Sequence, residues 1–206
     1  LGLMAGGLLQ AKVRLASVFG SDMVLQRQCE APLWGWAEPG AEVAATGSWD
    51  GSTVRTRCGA DGKWMLKLKT PDAGGPYTVT VSDGETVTLE NVLIGEVWLA
   101  GGQSNMELEL RNSENAEAAL ENCADPLLRF YNVPKTGVIN RNAENAASWQ
   151  ESSPENSGVM SAVAYYFAHK LRSELDPDLP IGIVDCYIGG TSITCWMSED
   201  ALNSSE

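Results

Sequence analysis

The sequence predicts an α/β protein in two parts: a small N-terminal β-sandwich over residues 12–92, and a three-layer α/β/α region over residues 93–206. Two observations lead to this prediction. In the first part, short segments alternate apolar and polar residues with a period of two and are separated by turn residues. In the second part, short runs that are apolar throughout alternate with a helical pattern, which is typical of a parallel sheet covered by helices.

The alternation in the N-terminal part is clearest at residues 64–69, where Trp64, Leu66 and Leu68 alternate with Met65, Lys67 and Lys69. Residues 77–81 repeat the pattern with threonines at the polar positions. Gly and Pro residues follow each segment and supply the chemistry of tight turns. Short strands at regular spacing favour a small β-sandwich.

Four tryptophans in this part leave two interpretations open. Tryptophans commonly fill the core of a small domain, and we favour that interpretation. Exposed tryptophans would instead stack on sugars and make the region a carbohydrate-binding module. The four are Trp34, Trp36, Trp49 and Trp64.

The second part begins with an apolar strand at residues 94–100, and a helix is predicted from Ser104 to about Arg111. A loop with a short helix, a strand and an amphipathic helix follow, and the last predicted element is another apolar strand that contains Asp185. These later elements are predicted at residues 112–125, 127–133, 159–175 and 181–187.

Ser104 lies where the first of these strands turns into a helix. Gly101 and Gly102 permit a sharp turn, and free N–H groups at a helix start stabilise the negative charge that an attacking serine generates. These features indicate an esterase nucleophile. The alternative is a capping box formed with Glu107, in which the hydroxyl only satisfies helix N–H groups. Met106 stands where a G-x-S-x-G elbow has its last glycine, which counts against an α/β-hydrolase.

The segment Gly102-Gln-Ser-Asn-Met106 resembles the first sequence block of the SGNH hydrolases. With Gly95-Glu-Val-Trp-Leu99 in front of it, the segment is similar to the sialate O-acetylesterase family, near the acetylxylan esterases. Further segments resemble that family in the same order along the chain. They are Asp22–Arg27, Trp34–Trp36 with Pro39-Gly40, and Ile181–Thr191 with Trp196.

The resemblance implies a flavodoxin-like SGNH domain that hydrolyses acetyl esters of sugars. It makes Ser104 the nucleophile and, through its backbone N–H, an oxyanion donor. Gly190, or as second choice Gly189, is expected to supply another backbone donor. Substrate-binding roles are expected for Gln103, Asn105 and Thr191. In this family the histidine base and its acidic partner lie near the C-terminus, so we expect that the chain is truncated and inactive alone.

His169 is the single histidine, and it falls inside the predicted helix at residues 159–175, which favours a surface position over a catalytic one. The five cysteines include no CxxC pair, so a Cys/His zinc site has no support, and we expect neither a metal nor another cofactor. Cys29 and Cys58 could pair, although buried free thiols are the more common state.

The net charge of −13 disfavours nucleic acid and anionic membranes as partners, because both would repel the protein. Residues 1–11 resemble the end of a secretory signal peptide, which predicts export, either to the periplasm or outside the cell, or to the lysosome in a eukaryote. A buried first strand is the alternative for this run.

Three functions stay open, and the sequence predicts no oligomeric state. The first is a sialate 9-O-acetylesterase-like enzyme acting on an acetylated carbohydrate. The second is an acetylxylan esterase acting on hemicellulose. The third is a carbohydrate-binding β-sandwich protein without catalysis.

Overall fold

A computed structural model describes residues 13–135 and 146–204 of the chain. The chain divides into two compact units, Leu1–Glu96 and Val97–Glu206. The sequence-based boundary at residue 93 falls within the strand that crosses this division. The signal-peptide-like segment at residues 1–11 lies outside the described residues.

The N-terminal unit contains two sheets. The first is antiparallel, with the order β1 (Arg14–Leu15), β3 (Glu30–Trp36) and β6 (Lys63–Lys69). The second has β5 (Thr53–Arg57), β4 (Glu42–Gly47), β7 (Gly74–Ser82) and the first part of β8 (Thr86–Gly102) in that order, and β2 (Val24–Gln26) runs parallel to β8. β4 and β6 lie against each other although they belong to different sheets.

The period-two pattern decides which side chains form the core of this unit. β6 alternates strictly between buried and exposed residues, and β3 does so up to its last residue, the half-buried Trp36. Leu33 and Val43, which lie on different sheets, are fully buried. The predicted strands of the N-terminal part are therefore confirmed, because alternate residues of β3 and β6 face the core.

The four tryptophans divide between two environments. Trp64 is 3% exposed and belongs to the core, and Trp49 packs against Tyr77 with ring centroids 5.7 Å apart. Trp34 lies on the outer face of β3 and is 37% exposed. Trp36 lies under the guanidinium of Arg14 at 3.9 Å. The core interpretation holds for Trp64 and is wrong for Trp34.

β8 is one strand of 17 residues, whereas the sequence suggested that a new strand starts at residue 94. The change in composition after Asn91 marks a β-bulge. Asn91 has φ of 55°, and the register against β7 shifts beside it. A bulge bends a strand without ending it, so β8 continues past the composition change.

The second unit contains a sheet with the order β10 (Trp149–Ser152), β9 (Asp125–Asn132), β11 (Ile181–Tyr187) and the end of β8. β9 pairs with β11 in the parallel direction and with β10 in the antiparallel direction. The described helices are α1 (Ser104–Glu107), α2 (Ala116–Glu121), α3 (Ala162–Glu174) and α4 (Glu199–Asn203), with single 3-10 turns at Leu110–Asn112, Ser157–Val159 and Ile193–Trp196. The α/β fold class predicted from the sequence is confirmed.

Helix α3 packs on the sheet of this unit. Tyr165 and Ala168 of the helix join Phe130 of β9 and Ile183 of β11 in one buried cluster. Ser161 begins the helix as its N-cap, with its hydroxyl accepting a hydrogen bond from the Ala164 N–H. The apolar spacing predicted this helix, and the helix starts three residues later than the pattern indicated.

The structure corrects the length of one predicted helix, adds a strand that the sequence did not predict, and decides the state of the cysteines. Helix α1 is a single turn of four residues and does not reach Arg111. Strand β10 was not predicted, because it is short and follows a polar loop. All five cysteines are free thiols, so Cys29 and Cys58 do not pair. Within the described ranges, every helix is too short or too polar to cross a membrane.

Candidate active site

Ser104 is the first residue of α1 and lies directly after the end of β8. Gly102 has φ of 155°, a conformation that side chains rarely adopt, and this permits the turn from strand to helix. The side chain of Ser104 is exposed, and among the described residues its hydroxyl has no hydrogen-bond partner. The hydroxyl is therefore free to approach a ligand.

The capping-box alternative does not match this geometry. The N-cap of α1 is Gln103, whose carbonyl accepts a hydrogen bond from the Glu107 N–H at 2.9 Å. The Glu107 carboxylate turns away from the helix start and binds two other groups. Because α1 is one turn long, any electrostatic help at Ser104 comes from individual N–H groups and not from a long helix dipole.

The first group that binds Glu107 is the glycine loop that follows β11. The Gly189 N–H donates to Glu107 Oε2 at 2.5 Å. A side chain at position 189 would collide with that oxygen, and its Cβ would lie 3.9 Å from Ser104 Cα. The Ile188 N–H also donates to the Gly102 carbonyl at 3.2 Å. The structure thus brings the glycine loop and the Ser104 turn together.

The second group that binds Glu107 is Lys135, which follows β9. Its Nζ lies 2.8 Å from Glu107 Oε1 and 4.5 Å from the ring centre of Tyr187. The hydrogen bond from Lys135, and then that from the Gly189 N–H, lower the pKa of Glu107. An ionised carboxylate with two donors is a poor proton acceptor and a good anchor for a loop.

Sequence reasoning missed this role of Glu107 and missed Lys135 altogether. Lys135 comes two residues after the predicted strand at residues 127–133. Ligand sites of parallel sheets lie at the carboxyl ends of the strands, so position alone was a usable signal for Lys135.

The two glycines of the loop differ in what their N–H groups can do. The Gly189 N–H already donates to Glu107. Gly190 is exposed and has φ of 76°, with open space where a Cβ would lie. Its N–H has no partner among the described residues. Of the two, Gly190 is therefore the one whose N–H is available to a ligand.

A cavity of about 380 Å³ opens beside the turn, between residues 101–103 and the segment 191–193 with Trp196. It includes Gln103 and Thr191, two of the three predicted substrate-binding residues. The Thr191 hydroxyl donates to the Ile188 carbonyl at 2.7 Å and accepts from the Trp196 indole at 2.9 Å. Asn105, the third predicted residue, is exposed on α1 and does not line this cavity.

His169 lies elsewhere in the unit. It is exposed on α3, its ring centre is 5.9 Å from that of Tyr165, and it lines a separate cavity of about 510 Å³ with Ser113 and Glu114. Ser104 does not line that cavity. The surface position predicted for His169 is what the structure shows.

A buried carboxylate lies behind the site. Asp185 of β11 is 2% exposed, and its Oδ2 accepts a hydrogen bond from the Ser161 N–H at 3.1 Å. Its Oδ1 is buried without a partner in the described part of the chain. Burial raises the pKa of Asp185 to about 6, and the bond from Ser161 opposes that shift.

Comparison with known proteins gives a consistent result. The family described as carbohydrate esterase, sialic acid-specific acetylesterase, matches residues 94–205. A carbohydrate acetylesterase from Xanthomonas citri has a similar structure, with a TM-score of 0.80 and 34% identity, over 94% of this chain and 44% of that one.

Curated relatives match nearly the whole chain. Sialate O-acetylesterases from Pongo abelii and Homo sapiens are each 31% identical to it over 93% of its length. The chain spans 40% of the length of these relatives. Because the family match covers more than half of the chain, including the Ser104 turn and the glycine loop, the chain belongs to the sialic acid-specific acetylesterase family of carbohydrate esterases.

Proposed function

We propose that the protein containing this chain is a serine-dependent carbohydrate O-acetylesterase, which releases acetate from acetylated sugars. The free, exposed hydroxyl of Ser104, held beside a glycine loop, carries this proposal. The names of the relatives favour acetylated sialic acid as the substrate. The resemblance of the segment around Ser104 to the acetylxylan esterases makes acetylated xylan the second candidate substrate.

The proposed reaction has two steps. Ser104 Oγ attacks the acetyl carbonyl carbon while a general base takes its proton, and the ester bond breaks to release the sugar hydroxyl, which receives that proton. Water then attacks the acetyl-serine, which releases acetate and restores the hydroxyl. In both steps the carbonyl oxygen becomes negative, and the N–H groups of Ser104 and Gly190 are proposed to stabilise it. Removal of one such donor typically costs about 10² to 10³ in turnover.

Neither of the nearest basic candidates suits the role of general base. His169 lines a different cavity, and Glu107 is bound by Lys135 and Gly189 with a lowered pKa. His169 is the single histidine of the 206 residues, so we propose that the base is a histidine outside these 206 residues. An acidic side chain that orients this histidine would complete the triad.

Glu107 is proposed as a positioning residue. Its carboxylate accepts the Gly189 N–H, and this bond is proposed to fix the loop that also carries Gly190. Lys135 keeps the carboxylate ionised and oriented. Gln103 and Thr191 are proposed to contact the sugar because they line the adjacent cavity, and Asn105 is proposed to contact it from the exposed side of α1.

The test is acetate release by the protein that contains this chain. Ser104→Ala is expected to lower the kcat for 4-nitrophenyl acetate and for 9-O-acetylated sialic acid by at least about 10³-fold, since the triad acts as a unit. Ser173→Ala, an exposed serine on α3, is the matched control and is expected to leave kcat unchanged. Full turnover by Ser104→Ala would disprove the assignment. Acetylated xylo-oligosaccharide, assayed in parallel, separates the two candidate substrates.

Export is proposed as well, on the basis of the apolar residues 1–11 and their small side chains. A mature N-terminus near Lys12, found by mass spectrometry of the protein from its native host, is the expected result. A mature protein that retains residues 1–11 would contradict cleavage at this position.

A further inference from the structure

The outer face of the sheet formed by β1, β3 and β6 carries an unusual set of side chains for a solvent-exposed surface. Alternation along these strands places Trp34, Trp36 and Met65 on this face. Trp34 and Met65 are register partners on adjacent strands, and they are 37% and 57% exposed. Exposed apolar side chains that are grouped in this way are typical of binding sites.

These three side chains line one side of a groove of about 420 Å³ in the N-terminal unit. The polar lining comes from Arg57, Asp61 and Lys63. A concave site with aromatic walls and a few polar groups is the usual composition of a small-ligand site. The groove consists entirely of residues from the N-terminal unit and does not include Ser104 or the glycine loop.

Arg57 supplies hydrogen-bond donors that the residues of the groove do not use. It is exposed and donates from Nη1 to the Gly40 carbonyl at 2.9 Å, which leaves other guanidinium donors directed to solvent. A guanidinium with unused donors is suited to binding a carboxylate.

The charge of this face is opposite to that of the whole chain. The chain has a net charge of −13, yet the outer face of the three strands has four cations and one carboxylate. The cations are Arg14, Lys63, Lys67 and Lys69, and the carboxylate is Glu30. A cationic surface with aromatic side chains favours an anionic ligand that also has an apolar face.

We propose that this groove is a second carbohydrate-binding site, separate from the Ser104 site, and that it takes a sugar bearing a carboxylate. The C–H face of the pyranose ring stacks on Trp34, the carboxylate is bound by Arg57 and Lys63, and the Asp61 carboxylate accepts from a hydroxyl. No covalent step is involved.

The experiment is a titration of the 206-residue chain with sugars that carry no acetyl ester, followed by ligand-observed NMR. 3′-Sialyllactose and trigalacturonate test the two natural sources of a sugar carboxylate, and lactose is the neutral control. Saturable binding of at least one acidic sugar, with much weaker binding of lactose, is expected. Absence of binding by both acidic sugars, or equal binding of lactose, would overturn the proposal.

Variants localise the binding. Trp34→Ala is expected to weaken the acidic sugar about tenfold through loss of stacking. Lys63→Gln, an exposed change that is safer for folding, is expected to weaken it several-fold, whereas Lys67→Gln on the same strand but outside the groove has little effect. Equal effects of the two lysine variants would overturn the assignment to this groove. Because the ligands have no ester, failure of the esterase assignment would not alter these results.

Discussion

Ser104 and Ser161 both stand at helix starts in the second unit, and their surroundings are opposite. Ser161 caps α3 and is fully buried; its hydroxyl accepts from Ala164 and donates to the sulfur of Met106, and its N–H donates to Asp185. Ser104 begins α1 and is exposed, with Gln103 as the cap in front of it. In the described residues its hydroxyl has no partner.

The difference shows that a serine at a helix start can stabilise the fold, as Ser161 does, or can keep its hydroxyl free for chemistry, as is proposed for Ser104. A buried cap must be fully paired, because an unpaired polar group in the core is costly. A nucleophile must keep its hydroxyl free for substrate and base. At Ser104 the stabilising contacts are made by its neighbours, through Glu107, Lys135 and the glycine loop.

After Ser104→Ala, the largest effect on turnover is expected from Gly189→Ala, which disturbs the contact between the glycine loop and the Ser104 turn. The added Cβ would lie too close to Glu107 Oε2, so the carboxylate or the loop must shift and the hydrogen bond that joins them is weakened. We expect kcat/KM for 4-nitrophenyl acetate, measured on the protein that contains this chain, to fall about 10²-fold. Turnover equal to that of the wild-type protein would show that the loop does not contribute to the site.

Two variants control for this result. Gly190→Ala meets no neighbouring atom, but its φ of 76° makes the change cost about 1 to 2 kcal/mol in folding, with a smaller loss of turnover than Gly189→Ala. Glu107→Gln keeps an oxygen for the Gly189 N–H and removes the charge that attracts Lys135. Its loss of turnover is expected to be smaller than that of Gly189→Ala.

A change of intermediate size in the free energy of unfolding is expected from Asp185→Asn, at the residue that accepts the Ser161 N–H. The folded protein binds the Asp185 proton more tightly than the unfolded chain, because burial raises the pKa from 3.8 to about 6. The stabilising contribution of the protonated group is present at low pH and is lost as the pH rises through about 6. At pH 7 the variant should therefore be more stable than the wild-type protein, by on the order of 2 kcal/mol, provided that the amide oxygen keeps the bond from Ser161.

Urea unfolding of the 206-residue chain at several pH values measures this effect. The two proteins should differ little near pH 4 and diverge as the pH rises. A constant difference across this range would show that Asp185 does not titrate between these values. The hydrogen bond from the Ser161 N–H would then be made to a carboxyl group whose charge does not change over this pH range.

The smallest expected effects are on the free energy of unfolding, and they compare Ser161 and Ser104 directly. Ser161→Ala is expected to lower the free energy of unfolding by about 1 kcal/mol, since a helix cap and a buried hydroxyl are lost. Ser104→Ala should change it by less than about 0.5 kcal/mol, as is usual for an exposed residue without partners. Ser198→Ala, which removes the cap of the exposed helix α4, is the intermediate control. A larger loss in Ser104→Ala than in Ser161→Ala would reverse the comparison.

Local sequence patterns were sufficient to predict a strand when one face of the strand is buried, and also when both faces are buried. The strand Ile181–Tyr187 lies where its apolar run predicts, and β6 alternates as Trp64, Leu66 and Leu68 indicate. The Ser104 turn and the glycine loop were also identified from the sequence, the first from an apolar run ending in two glycines. Hydrophobic periodicity is strong in such segments because burial selects one residue type at each position.

Other features depended on contacts between distant residues. The motif Ser104-x-x-Glu107 predicts a capping box, yet the carboxylate binds Gly189 and Lys135, which are remote in sequence. The bulge at Asn91 keeps β8 continuous where composition changes. Strand β10 is short and polar and forms because β9 supplies its hydrogen-bond partners.

The sequence by itself determined the α/β class, the strands of the N-terminal unit and the position of Ser104 between a strand and a helix, because backbone propensity and burial act locally. Tertiary structure alone decided that Gly189 is engaged while Gly190 is free, and that Trp64 is buried while Trp34 is exposed. These distinctions arise from which distant side chain occupies the space beside each residue, and no local pattern encodes that.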